Sequence, residues 1–375
     1  MAGLYIHIPF CKSRCIYCGF YSTTQSKLQQ RYVNAVCREM EGTRNKTEEI
    51  RTIYLGGGTP SQLTIGQLHQ LTETIHRCYW ITPDAETTIE CNPDDVTADY
   101  AQTLCELGFN RVSMGAQTFD NQRLRFLHRR HQAEQVQRAV RILRKAGIQN
   151  ISIDLMYGFP EETIDDWQRD IDAALALDVE HLSAYCLMVE EGTSLYRQIE
   201  SGEVRWREEE ELERQMYYLL IDRLKAAGYE HYELSNFARP GRRSRHNSSY
   251  WTGTPYIGLG AAAHSYDGKR RYWNIDNLQH YIEGVENGNP THEEELMDDD
   301  CLYNDRIMLS FRTCEGLNLT TLCQRDKEYL LPLTKKYLDE GLLVLTDNHL
   351  RLSREGLFVS DMIMSDLMRV TDNET

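Results

Sequence analysis

"CKSRCIYCGF" (residues 11–20) carries three cysteines in the spacing Cys11-x3-Cys15-x2-Cys18. It follows directly on "LYIHI" (4–8), a run with the composition of a buried strand. A loop this short cannot sink all three thiols into a core, so the spacing brings them to one place. Thiolates that converge in this way select soft metal centres. Zinc would need a fourth ligand, and the only close candidate is His7, on the strand itself. A redox pair would leave Cys11 unexplained. Three thiolates with one open coordination position suit a 4Fe–4S cluster that takes an exchangeable ligand.

The remaining eight of the eleven cysteines are scattered singly through apolar contexts, and the odd total of eleven argues against a disulfide framework. Most of the eight read as buried, inert thiols of a reducing compartment. The N-terminus "MAGLYIHIPF" lacks a basic n-region and a small-residue cleavage site. No run approaches the ~20 apolar residues of a membrane span, so a cytoplasmic location is expected. A formal net charge of −16 argues against a nucleic-acid binder. The basic runs "RLRFLHRRH" (123–131) and "RPGRRSRHN" (239–247) are solvated faces or local anion sites.

In the first half, strand-like runs at 4–8, 52–56, 87–91, 111–115, 151–156 and 181–187 alternate with helix-period stretches at 28–40, 64–79, 133–147 and 163–177. Such alternation predicts a parallel sheet with right-handed crossovers. Six units within about 190 residues fit a partial (β/α)6 barrel better than a full eight-unit one. This α/β unit is expected over 1–200. A long helix (207–228) ending at Gly228 then leads into a stretch rich in Tyr, Trp and Gly, Tyr229 to about Glu286, read as short strands and turns. Linking helix and aromatic strands, 201–290, are expected to close the barrel. The acidic run at 293–300 marks a boundary, and 291–375 predicts a smaller α+β region with a winged-helix-like module, its hairpin turned at Asp347–Asn348. The tail, 370–375, reads as disordered.

Polar residues gather where the first-half strands end, the rim at which such sheets do chemistry. "LGGGTP" (55–60) strips side chains from a βα turn so that a ligand can approach the backbone. "ECNPD" (90–94) places Glu90 at a strand end, "SMGAQTFD" (113–120) places Gln117 on the next, and "LHRRH" (127–131) supplies Arg129. Asp154 lies inside an apolar strand, where an ionised carboxylate is expensive to bury alone.

Together with "RHNSSYW" (245–251) and "GLGAAAHSY" (258–266), these motifs resemble the coproporphyrinogen-oxidase-like branch of the radical S-adenosylmethionine (SAM) superfamily over nearly the whole chain. The resemblance implies that Cys11, Cys15 and Cys18 hold a 4Fe–4S cluster whose open corner is chelated by SAM. It also implies SAM contacts for Tyr5, Gly57, Gly58, Thr59, Glu90, Gln117, Arg129 and Asp154. Arg129 is preferred to Arg130 because "HRRH" aligns with a G-R-x-H pattern, with His128 in place of the glycine.

Within that branch, the oxygen-independent coproporphyrinogen III dehydrogenases carry an N-terminal extension and a further cysteine two residues past the third ligand. Here the first strand starts almost at residue 1, and Phe20 occupies the cysteine position. "RHNSSYW" is similar instead to the H-N-x-x-Y-W signature of HemW-type heme chaperones. That resemblance implies heme as cargo and an acceptor hemoprotein, which can be a membrane protein. It also implies an electron donor of flavodoxin or ferredoxin type; the alternative is the dehydrogenase activity. Segment 242–273 offers arginines, aromatic rings and the candidate heme ligands His246 and His264, although aromatic strands with a histidine are commonly ordinary packing.

Overall fold

The computed structural model describes residues 2–43, 49–207, 209–289 and 292–369; the tail expected to be disordered lies outside them. Six strands run parallel and in chain order: β1 (Ala2–Ile8), β2 (Glu49–Gly57), β3 (Trp80–Cys91), β4 (Arg111–Gln117), β5 (Asn150–Tyr157) and β6 (His181–Cys186). Helices Gln29–Gly42, Ile65–Cys78, Ala98–Glu106, Ala133–Ala146 and Ile164–Leu175 make the crossovers. Their starts are chemically marked. Thr64 accepts from the Gln67 amide while the Gln67 side chain caps Thr64 in return, and Thr163 and Asp166 repeat the device. Gly147, at φ 108°, ends the fourth of these helices in the left-handed region. Leu4, Ile6, Ile53, Leu55, Val112, Met114, Ile151 and Ile153 are all buried in the core beneath these helices. The α/β partial barrel read from the sequence is the observed architecture.

The sheet does not stop at six strands. At the β6 edge, β7 (Glu230–Glu233) and β8 (Asn236–Ala238) add antiparallel. At the other edge, β9 (Tyr256–Leu259) pairs parallel with β1, followed by β10 (His264–Tyr266), β11 (Arg270–Asn274) and β12 (His292–Leu296). The aromatic-rich segment therefore widens the sheet at both edges, and β12, in the acidic run beyond it, brings the sheet to twelve strands. It also contains two helices, Arg245–Trp251 and Leu278–Glu286, where the sequence predicts strands and turns. Tyr and Trp favour strands by propensity, but Ser244 and Asn277 each accept the backbone N–H three residues on and start a helix.

The C-terminal region builds its own small core from Tyr303, Ile307, Phe311, Leu330, Tyr337 and Leu350. Helices Asp299–Phe311 and Gln324–Asp339 precede a hairpin of β14 (Leu343–Thr346) and β15 (His349–Leu352), with β13 (Leu317–Asn318) on the far side of β15. Asp347 and Asn348 both have positive φ, 51° and 61°, as a two-residue hairpin turn of this hand requires.

One buried ion pair fastens this region to the barrel. Arg312 donates from Nε and Nη2 to Glu233 Oε1 at 3.0 and 2.8 Å, and Glu233 has no exposed side-chain surface. The backbone continues the joint, with Leu234 N to Arg312 O at 3.0 Å and Cys314 N to Tyr232 O at 3.1 Å. Removing the cation strands a buried carboxylate. Arg312→Ala is expected to lower stability by about 3 kcal/mol in a urea titration, and Glu233→Gln in the same chain is expected to recover much of that loss.

Candidate functional site

Beyond β1 the chain turns through Pro9 into the cysteine loop, which is pinned from both sides. Cys11 N donates to Thr23 O (2.9 Å), Thr23 N to Pro9 O (2.7 Å), and Leu195 N to Ile16 O (2.8 Å). Phe10 and Ile16 are buried at 2 % exposure each. With those two anchored inward, Cys11, Cys15 and Cys18 are left half-buried as free thiols on the wall of one cavity.

That cavity encloses about 430 Å³ and collects most of the residues marked by the sequence. The glycine turn contributes Gly57, Gly58 and Thr59, and the strand ends contribute Glu90, Gln117, Arg129 and Asp154. The turn needs its glycines. Gly57 sits at φ 111°, and a Cβ there would lie 2.5 Å from the His7 ring; a Cβ on Gly58 would lie 2.7 Å from the Pro9 carbonyl. Gln117 and His128 also take left-handed φ, 66° and 59°. The latter explains a glycine as the common residue of the G-R-x-H pattern.

Two side chains donate toward the sulfurs: Thr59 Oγ1 to Cys11 Sγ at 3.3 Å and Arg129 Nη1 to Cys15 Sγ at 3.5 Å. Arg129 is otherwise held by Asn92 Oδ1 (2.8 Å) and Gly115 O (2.7 Å). Arg130 also reaches the cavity wall, but is tied up in ion pairs with Asp94 and Asp95 at 3.1 and 3.0 Å. Burial pushes the Cys11 and Cys18 thiols up, so a metal that binds them must displace protons.

Glu90 accepts from Tyr54 Oη at 2.7 Å and from Gly57 N at 3.2 Å. Burial outweighs both bonds and, with the nearby Asp154 charge, pushes its carboxyl up to about 7. Asp154 is likewise raised, chiefly by burial, although Ser113 and Ser183 hydrogen-bond to it.

Three of the marked residues are not brought to the cavity wall. Tyr5 lies beside it, its hydroxyl 3.1 Å from His7 Nδ1 and its ring stacked on Tyr54 and His246. His7 Nε2 also meets Tyr21 O at 2.9 Å, so the candidate fourth zinc ligand has both ring nitrogens engaged. His246 is 1 % exposed, with Nδ1 2.9 Å from Thr52 Oγ1 and Nε2 2.8 Å from Tyr250 Oη. Binding iron there would break one of those bonds and require a path to a buried ring. Burial and the Arg111 charge push its imidazole down to about 3, so it is neutral. His264 stands apart on β10, its ring stacked on Trp273 at 5.5 Å.

The structure adds wall residues that the sequence reading passed over: Tyr54, Arg111, Tyr185, Met188 and Asn247. Arg111 opens β4, and Arg111, Ser113, Gly115 and Gln117 form the inward row of that strand. The alternation that singles out Asp154 would have found it. Asn247 belongs to "RHNSSYW", so it is the residue after His246 that reaches the cavity.

A parallel sheet with a cysteine loop after its first strand and a glycine turn after its second defines a radical SAM protein. Residues 5–174 match the model of the radical SAM superfamily, and residues 297–359 match that of the HemN C-terminal domain. The solved Escherichia coli coproporphyrinogen III oxidase HemN, a radical SAM enzyme, shares the fold with a TM-score of 0.86 at 22 % identity, over 98 % of this chain and 90 % of that one. The heme chaperone HemW of Bacillus subtilis is 35 % identical over 97 % of this chain and 98 % of its own length. That of Lactococcus lactis is 36 % identical over 97 % and 96 %. The chain belongs to the HemW family.

The raised Glu90 carboxyl has a consequence for stability. Its folded-state value, about 7, lies above the unfolded 4.5, so the folded protein is favoured below pH 4.5 and loses that advantage as pH rises to 7. The loss is on the order of 3 kcal/mol. Glu90→Gln is expected to be more stable than the parent at pH 8 and equal to it near pH 4.5 in urea titrations of the metal-free protein.

Proposed function

We propose that this chain is a heme carrier that delivers its cargo to acceptor hemoproteins and holds a 4Fe–4S cluster and SAM. Cys11, Cys15 and Cys18 are the cluster ligands. Gly57, Gly58, Thr59, Glu90, Gln117, Arg129 and Asp154 hold SAM, and Tyr5 backs that wall through Tyr54. The donor set fits the cluster. Three free thiols of one short loop line one cavity wall, the three-thiolate set that leaves a cluster one open corner. A bound cluster supplies one-electron reduction of the SAM sulfonium; the protein's part is to seat both and keep water away.

The observation that carries the heme reading is the rim of the cavity. Phe20, Tyr185 and Met188 are 72 %, 44 % and 66 % exposed, and all three line this one opening. SAM is small and polar and gives no reason for such a collar, whereas a tetrapyrrole presents a broad apolar face. Among the described residues no helix is long and apolar enough to cross a membrane.

Anaerobic reconstitution followed by iron, sulfide and heme counts tests the assignment. The parent is expected to hold four irons and one heme, and Cys15→Ala to lose the cluster. Incubation with reductant, SAM and coproporphyrinogen III is expected to leave the substrate unchanged; a vinyl-bearing product would make the chain a dehydrogenase instead. His246→Ala is expected to lower the melting temperature, through loss of the Thr52 and Tyr250 bonds, while leaving the Soret band of the heme-loaded protein in place.

A further inference from the structure

We infer that Arg111, assisted by Asn247, is a receptor for a carboxylate of the ligand that enters the cavity, which for a heme carrier is a propionate. This rests on the tetrapyrrole reading above and extends it to a second part of the same cavity. Arg111 is 1 % exposed and lines the cavity, and its buried Nε and Nη1 atoms have no hydrogen-bond partner among the described residues. A guanidinium removed from water with open N–H groups is unfavourable unless an anion completes it. Nε and Nη1 stand on different edges of the planar guanidinium, so a carboxylate takes two parallel bonds by pairing Nη2 with one of them.

A structural explanation would have Arg111 neutralise Glu90 and Asp154, whose charges it feels. Those carboxyls take their hydrogen bonds elsewhere, from Tyr54, Gly57, Ser113 and Ser183. Burial raises both carboxyls, Glu90 to about 7, and neither meets the Nε or Nη1 atom of Arg111. Glu86 is spoken for as well, accepting the backbone N–H groups of Arg245 and His246 at 3.1 and 3.0 Å. Asn247 stands on the same wall, at the start of the helix that those bonds secure. Arg111 lies at the opposite end of the inward row of β4 from Gln117, so it is separated from the glycine turn and cysteine loop where the amino-acid end of SAM is proposed to sit.

The test uses the reconstituted full chain, with heme and heme dimethyl ester as absorbance-titration probes and SAM affinity as control. Arg111→Gln is expected to weaken heme binding at least tenfold and leave SAM affinity unchanged. The dimethyl ester, with both carboxylates masked, is expected to bind the parent as weakly as heme binds Arg111→Gln, and to be insensitive to that substitution. If Arg111→Gln does not fold, Asn247→Asp, which sets a like charge beside the incoming carboxylate, is expected to weaken heme tenfold and spare the ester. Unchanged heme affinity in a folded Arg111→Gln or in Asn247→Asp, or tight binding of the ester to the parent, would overturn the assignment of Arg111 alone. Failure of the parent to bind heme at all would overturn the carrier reading and this inference with it.

Discussion

Six parallel strands curl too little to fill their own interior. In a complete eight-strand barrel, inward side chains pack into layers and leave no room. Here β1 pairs with β2 and β9 rather than with β6, so the curve stays open. The period-two alternation of a strand then sorts the sequence into two faces. Leu4, Ile6, Ile53, Leu55, Val112, Met114 and Ile153 go under the helices, while Tyr54, Glu90, Arg111, Ser113 and Asp154 face the hollow. A slip of one residue in any strand would exchange the two sets. The hydrophobic core therefore fixes the address of every polar group in the site.

The same enclosure sets the charge state of the hollow. Burial lowers the histidines packed behind its wall, His7, His181 and His246, the last to about 3. Its carboxyls lean toward protonation, Glu90 to about 7. Arginine does not surrender its proton on burial, so positive charge is what persists. Arg129 spends its share on Asn92, Gly115 and the Cys15 sulfur. Arg111 keeps Nε and Nη1 without a hydrogen-bond partner among the described residues. A wall whose buried acids are shifted toward protonation while an arginine stays cationic at one end is suited to a ligand with both an apolar surface and an anionic group.

Much of this is readable from local sequence rules. Cysteine spacing, the glycine turn and the strand-helix alternation each depend on neighbouring residues only, and so does the Asp347–Asn348 hairpin turn. What sequence misses depends on distant chain. Helix Arg245–Trp251, seven residues that end in the strand-favouring Tyr250 and Trp251, exists because Ser244 caps it and Glu86 of β3 holds its first N–H groups. Arg111 reads as a flanking charge before an apolar run unless the strand's alternation is carried back to it, and the pairing of Thr88, Arg111 and Asn150 across β3, β4 and β5 places it in the interior. The pairing of β9 with β1 has no local signature at all.

His246 shows how one composition leaves two roles open. A histidine among aromatics invites the expectation of an iron ligand, because imidazole ligation and aromatic packing share a composition. The coordinates supply what composition lacks. Thr52 and Tyr250 each present a hydroxyl, a group that can donate or accept, so either tautomer of the ring is satisfied on both sides. The ring also stacks on Tyr54 at 5.0 Å, the same tyrosine whose hydroxyl orients Glu90. His246 thus transmits the placement of its helix to a wall of the site, and in doing so it holds the adjacent Asn247 at the cavity. A residue can be indispensable to a ligand site by fixing the wall that its neighbour presents, without touching the ligand.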